Sequence, residues 1–347
     1  VRKSLLTISL LLPVIFLMAY IAGSCNKPGL NSPTPLQQII PAGFPAPVYQ
    51  YADNPLTQEG FELGRKLFYD VRLSADNLHP CASCHQQVGS FGTYEHDRSH
   101  GVFESHTLRN APPLLNLAWN TSFHWDGEFN SLVEESVHPI TGGLEMGETF
   151  NRVIRKIKDD NYYRVMFKKV FYTDEILPIH IQKALAQFTG YITVANSKYD
   201  KYKRGEVSFS VQEENGYQLF KTSCAGCHPE PLFTDYSYRN IGLPVDPFLK
   251  DYGRIRITGQ SSDSLKFKVP TLRNVYISSN YMHDGRFNTL AQCINHYRTG
   301  VQLSSTTDPL VAGGLNITNS QAIDLALFLR TLTDSSILHD TRWAAPQ

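Results

Sequence analysis

The pentapeptide CASCH at residues 81–85 and its near copy CAGCH at 224–228 constrain this 347-residue chain more than any other feature. C-x-x-C-H is the pattern by which c-type haem is attached. Two thiols one helical turn apart reach the two vinyl groups, and the adjacent histidine meets the iron from one side. C-x-x-C pairs also serve zinc. Both copies here carry the histidine in the same place, which a zinc site does not require. The expected covalent attachments are therefore Cys81 and Cys84 for one haem and Cys224 and Cys227 for another, with His85 and His228 as axial ligands. Of the six cysteines, Cys293 reads as a small buried hydrophobe.

Around these motifs the chain repeats itself, and such self-similarity takes priority in assigning a fold. GRKLF at 64–68 precedes the first motif and GYQLF at 216–220 the second. TLRN occurs at 107–110 and again at 271–274, and DGEFNSL at 126–132 is answered by DGRFNTL at 284–290. Long amphipathic runs, 148–171 and 178–202, and a last run at 318–334 with a capping box from Thr318 to Gln321, carry helical spacing. No run alternates as strands do. The expected fold is all-α, with two tandem cytochrome c-like helical domains at 55–205 and 206–347 and one covalent haem in each.

Ahead of them, Arg2 and Lys3, an apolar run and small residues before Cys25 read as an export signal over 1–24 with lipidation at Cys25. A retained membrane helix is the alternative, and Pro13 and the short apolar run speak against it. Residues 25–54 are rich in Pro, Asn and Gly and read as a tether. In both readings the folded part lies outside the cytoplasm, on the periplasmic side, and meets a membrane only through its N-terminus. With 32 basic and 32 acidic residues the formal charge is zero. No basic cluster offers a nucleic-acid footprint.

The duplication also serves as a ruler. Tyr297 lies as far beyond Asp284 as Pro139 lies beyond Asp126. Proline cannot bind iron and a phenol can. The first haem is thus expected to be open and the second filled, with Met282 as an alternative ligand. His138 and His296 also match each other, so neither explains the difference, and both read as packing or surface residues. Opening an O–O bond over an iron needs a group that moves a proton, and Glu145 in GGLEMGE is the candidate. Glu134 and Glu135 read as solvated, and Trp125 and His283 as residues near the boundary between halves.

These motifs, in this order, resemble the bacterial di-haem cytochrome c peroxidase family, which includes the MauG-type enzymes. The resemblance rests on LGRKLFYDVRLSADNLHPCASCH, SHG, LRNAPPLLNLAW, FHWDGEFNSL, the GYQLF and CAGCH pair, and FKVPTLRNVYISSNYMHDGRFNTL. It implies peroxide reduction at the haem on His85, with electrons passing through the haem on His228 from a small periplasmic donor such as cytochrome c. Glu145 matches the family's catalytic glutamate and Trp125 its tryptophan between the haems. His100 matches a histidine that ligates the first iron in some states only. A calcium site maps onto the Asn110 side chain and the backbone near Ser278 and Asn280. Glu135 stands where the family has a glutamine. Tyr297 stands where peroxidases have methionine and MauG-type enzymes tyrosine, so a MauG-like oxidase and, in a different class, a plain di-haem electron carrier are the competing functions. Monomer and homodimer both stay open.

Overall fold

The computed structural model describes residues 32–347. Cys25 and the segment 1–24 lie outside the described residues. Residues 33–347 form one compact unit.

Each half is organised by a pair of crossing helices. In the first, Gln58–Phe68 packs on Pro178–Tyr191; in the second, Val211–Ser223 packs on Asn319–Thr331. Thr57 starts the first of these by accepting from the Gly60 amide, and Ser210 with Glu213 forms a capping box on the third. The glycines of GRKLF and GYQLF sit where these pairs touch. A Cβ at Gly64 would collide with the Ala184 carbonyl and the Phe188 Cβ, and one at Gly216 with the Asp324 carbonyl and the Phe328 Cβ. The repeated glycine is thus a close-approach residue.

The predicted run at 148–171 is two helices, Phe150–Ile157 and Asn161–Phe171. Asp160 divides them because its carboxylate caps the second through the Tyr162 amide. The run from 178 likewise stops at Tyr191, and Lys198–Lys203 is a separate turn capped by Ser197. Strand structure among the described residues is confined to the antiparallel pair Tyr238–Arg239 and Phe267–Lys268 and to isolated bridges.

Apolar side chains gather in two main clusters. One holds Phe61, Leu67, Phe68, Phe91, Phe188 and their neighbours, and the other Tyr199, Tyr217, Phe220, Phe233 and Phe328. The chain's last segment returns to the first of them. Trp343 packs against Phe61, Phe188 and Tyr191, and the Tyr69 hydroxyl donates to the Trp343 carbonyl at 2.7 Å.

One repeat assignment is corrected. TLRN at 107–110 does not occupy the place of TLRN at 271–274. The equivalent of Asn274 is Asn116: both are left-handed, with φ 57° and 56°, and each opens a short 3-10 turn. Their amide side chains mimic a strand partner. Asn116 pairs with the backbone of Val194 at 2.9 and 3.2 Å, and Asn274 with that of Asp334 at 2.6 and 3.1 Å. Asn110 has a different job, described below.

Candidate active site

Both C-x-x-C-H motifs build the same local geometry. The amides of His85 and His228 close a turn on the carbonyls of Cys81 and Cys224, each at 2.9 Å. Each imidazole then aims Nδ1 at a carbonyl, His85 at Phe91 and His228 at Phe233, both at 2.9 Å. That bond orients the ring and leaves Nε2 for a metal. Burial lowers the His85 pKa to about 4, so the ring is neutral, as a ligand must be. All four motif thiols are free, and among the described residues no three His, Cys, Asp or Glu side chains cluster as a metal-ion site. The motifs therefore build no zinc tetrad. Paired thiols, an oriented imidazole and an adjoining cleft are what a c-type haem needs.

The cleft beside the first motif is lined by Cys81, Cys84 and His85 and by Glu135, Pro139 and Glu145. The helix Val137–Thr141 carries Pro139. The loop after it folds back, with the Glu145 amide on the Gly142 carbonyl and the Met146 amide on the Pro139 carbonyl. That fold-back sets Glu145 beside Pro139. Burial raises the Glu145 pKa, opposed by His138 and His124 and reinforced by Glu128. Glu135 is raised to about 6, first by burial, with Glu145 reinforcing and His124 and Lys268 opposing. The expectation that Glu135 is solvated is corrected: it is a second acid in the cleft, whereas Glu134 is exposed.

In the second half the helix Leu290–Asn295 runs into a π-helical stretch, His296–Gly300, that carries Tyr297. Such widened turns are rare and cluster at functional positions. Burial and then the sulfurs of Cys293, Cys224 and Cys227 push the Tyr297 phenol up. Met282 occupies a left-handed turn position, φ 71°, equivalent to His124 at φ 62° in the first half. His296 is buried and bonds through Nε2 to the Ile241 carbonyl at 2.9 Å. His138 differs from this counterpart. Its Nδ1 lies 3.2 Å from Glu128 and its Nε2 3.7 Å from Glu145. Sequence comparison of the halves treats the two histidines alike and misses this contact.

Asn110 joins the halves. Its amide donates to the His283 carbonyl at 2.8 Å, and its own carbonyl accepts the Trp125 indole N–H at 2.8 Å. Trp125 also accepts the Lys268 amide, and His283 stacks on Phe267 at 3.7 Å. The Asn110 side-chain nitrogen donates to the Asp97 carbonyl, leaving its oxygen as the donor atom a calcium ion would use. Near it, Asn280 donates to the Gly285 carbonyl and Ser278 to the Asn280 carbonyl. His100 is exposed, its ring 4.9 Å from that of His96 and 4.5 Å from that of His106, while its carbonyl lies 3.9 Å from Cys84 Sγ.

A di-haem cytochrome c peroxidase family model matches residues 58–208. The methylamine utilization protein MauG of Methylorubrum extorquens is 33% identical over 80% of this chain and 79% of its own. The chain belongs to the di-haem cytochrome c peroxidase and MauG family. Membership makes it a haem oxidoreductase of the peroxidase class. Cytochrome c551 peroxidase of Nitrosomonas europaea is 36% identical over 70% of this chain and 74% of its own. Among solved structures, a MauG-like protein associated with microbial copper homeostasis superposes with a TM-score of 0.82 at 29% identity, covering 90% of this chain and 99% of its own. The diheme peroxidase BthA of Burkholderia thailandensis shares the fold, with a TM-score of 0.71 at 21% identity over 85% of this chain and 91% of its own.

Proposed function

We propose that this family member reduces hydrogen peroxide to water at the haem held by Cys81, Cys84 and His85, with electrons supplied through the haem on Cys224, Cys227 and His228. A small cytochrome c or similar carrier is the donor. The observation that carries this reading is the cleft in which Pro139 and Glu145 stand together, set against Tyr297 in the second half. A haem bound there would supply the redox chemistry for O–O bond cleavage.

The chain's own residues do the rest. Pro139 offers no ligand and so leaves the cleft to substrate. Glu145 takes a proton from the incoming peroxide oxygen and returns one to the leaving oxygen. Trp125, fixed through its indole N–H to the backbone of Asn110, sits on the path between the halves. Tyr297 would offer a phenol oxygen to the second haem, a donor that favours oxidised iron. Asn110 oxygen and carbonyls near Ser278 and Asn280 would be the groups to hold a calcium ion, which would brace that junction. Lipidation at Cys25 would tie the protein to the periplasmic face of a membrane; no helix among the described residues is long and apolar enough to cross one.

The deciding experiment is steady-state peroxide consumption with reduced cytochrome c. Sustained turnover supports a peroxidase. A peroxide-induced spectral change without turnover would assign the chain to MauG-like oxidation of another molecule, and no spectral response in any redox state would make it an electron carrier.

A further inference from the structure

Peroxide reduction consumes two protons and two electrons for each two waters formed. A carboxylate that only moves one proton between the two peroxide oxygens supplies neither of these protons, so they must enter from solvent. The carboxylate nearest the cleft, Glu145, has one basic neighbour at short range. His138 Nε2 stands 3.7 Å from Glu145 Oε1, and the His138 side chain is 38% exposed. Its other nitrogen lies 3.2 Å from Glu128 Oε1. Glu128 is in turn held by Arg256 at 2.8 Å and approached by His124 Nδ1 at 3.4 Å. The His124 and His138 rings meet edge to face at 5.6 Å.

This constellation has the form of a relay. A carboxylate on one imidazole nitrogen fixes the tautomer and raises the basicity of the ring, so the other nitrogen can pass a proton to the group it faces. Glu128 suits that role: the bond from His124 and the Arg256 guanidinium hold its carboxyl well below the usual carboxylate range, and it stays ionised. The groups facing the pair are therefore Glu128, His124 and Arg256 on the outer side and Glu135, Cys81 and Cys84 across the cleft. In the second half the equivalent histidine, His296, donates through Nε2 to the Ile241 carbonyl, and a carbonyl cannot serve as a relay partner. The relay is confined to the half with the open cleft.

We propose that His138, oriented by Glu128, is a positioning residue that hands solvent protons to Glu145. The inference rests on the peroxide reading above and names the route by which its protons arrive. Each turnover moves two protons from water through His138 to Glu145 and on to oxygen, while two electrons come from the reduced donor protein.

The test uses the holoprotein and His138→Ala, His138→Gln and Glu128→Gln. With reduced cytochrome c, His138→Ala should lower kcat at least about tenfold with KM for peroxide little changed, as loss of a proton-transfer partner does. Its solvent deuterium isotope effect should rise, and millimolar imidazole should restore rate to His138→Ala but not to Glu145→Gln. Glu128→Gln should fall between. A merely structural role would give no imidazole rescue and no change in isotope effect, and either result overturns the relay, as does wild-type kcat in His138→Ala. A stopped-flow arm without donor separates the two readings. If wild type changes its spectrum with peroxide yet shows no turnover, the peroxidase reading fails. The relay is then judged on whether His138→Ala slows that change and imidazole restores it.

Discussion

Pro139 and Tyr297 stand at the same distance beyond the repeated Asp-Gly pair, and Pro139 lines the cleft of Cys81, Cys84 and His85 while burial and the nearby cysteine sulfurs push the Tyr297 phenol up. A residue with no ligand atom in one half is thus matched by a phenol in the other. Replacing Tyr297 with Phe should change the absorption and EPR spectra of the second haem and raise its reduction potential, because an anionic oxygen donor that favours Fe(III) is lost. Unchanged spectra would remove Tyr297 from the iron.

Glu145→Gln keeps the shape of the cleft and removes its proton carrier. Peroxide turnover should fall by about 10²–10⁴, the usual worth of a positioned general acid or base. Haem content and the spectrum of the second haem should stay as in wild type. Near wild-type kcat in this variant would reassign the role.

His100 lines the cleft of the first motif but is exposed, its ring held against those of His96 and His106. The fully oxidised protein should accordingly give a high-spin ferric EPR signal from the first haem. Low-spin signals alone would mean that His100 or another group swings onto that iron at rest.

Glu135 links stability to pH. Burial raises its folded-state pKa to about 6 from the ordinary 4.5, so the folded chain holds this proton more tightly than the unfolded chain does. Stability is then lost as pH rises through that interval and stays lowered above it. Glu135→Gln should raise the thermal midpoint at about pH 8 and leave it unchanged at about pH 4. Calorimetry at the two pH values is the check; an equal shift at both would contradict the assignment.

Asp126 is fully buried and lies 2.6 Å from Arg109, which also grips Asp251, and 2.8 Å from Arg256. Removing the carboxylate leaves the half-buried Arg109 partly uncompensated. Asp126→Ala should cost about 3 kcal/mol in urea unfolding. Arg256 is half-exposed and contributes little to that loss.

Much of this was legible in the sequence because its signals are local. A C-x-x-C-H motif holds both thiols and the imidazole within one turn, and Thr318 with Gln321 announces a helix start that the structure reproduces. Glu145 could be nominated because a short glycine-containing loop joins it to Pro139, and the two do line one cleft. Other features were illegible because they depend on how the folded chain packs rather than on a local pattern. The TLRN copies look alike, yet Asn116 rather than Asn110 matches Asn274, since only those two have a backbone segment after the second helix of the pair to bind. Glu135 reads as a surface acid until the fold closes the cleft around it. His138 and His296 match by register, and only the packed neighbours, Glu128 and Glu145 for one and the Ile241 carbonyl for the other, tell them apart.

By itself, the sequence determined the duplication, the mainly helical pattern and the residues suited to hold two haems, because periodicity and motif spacing are properties of adjacent residues. Tertiary structure alone decided which side chains share the cleft, where Asn110 joins Trp125 to His283, and how the chain's end returns to the first core. Those contacts join residues dozens to hundreds of positions apart, and burial, which sets the charge states of Glu135 and Glu145, exists only once the chain has closed around them.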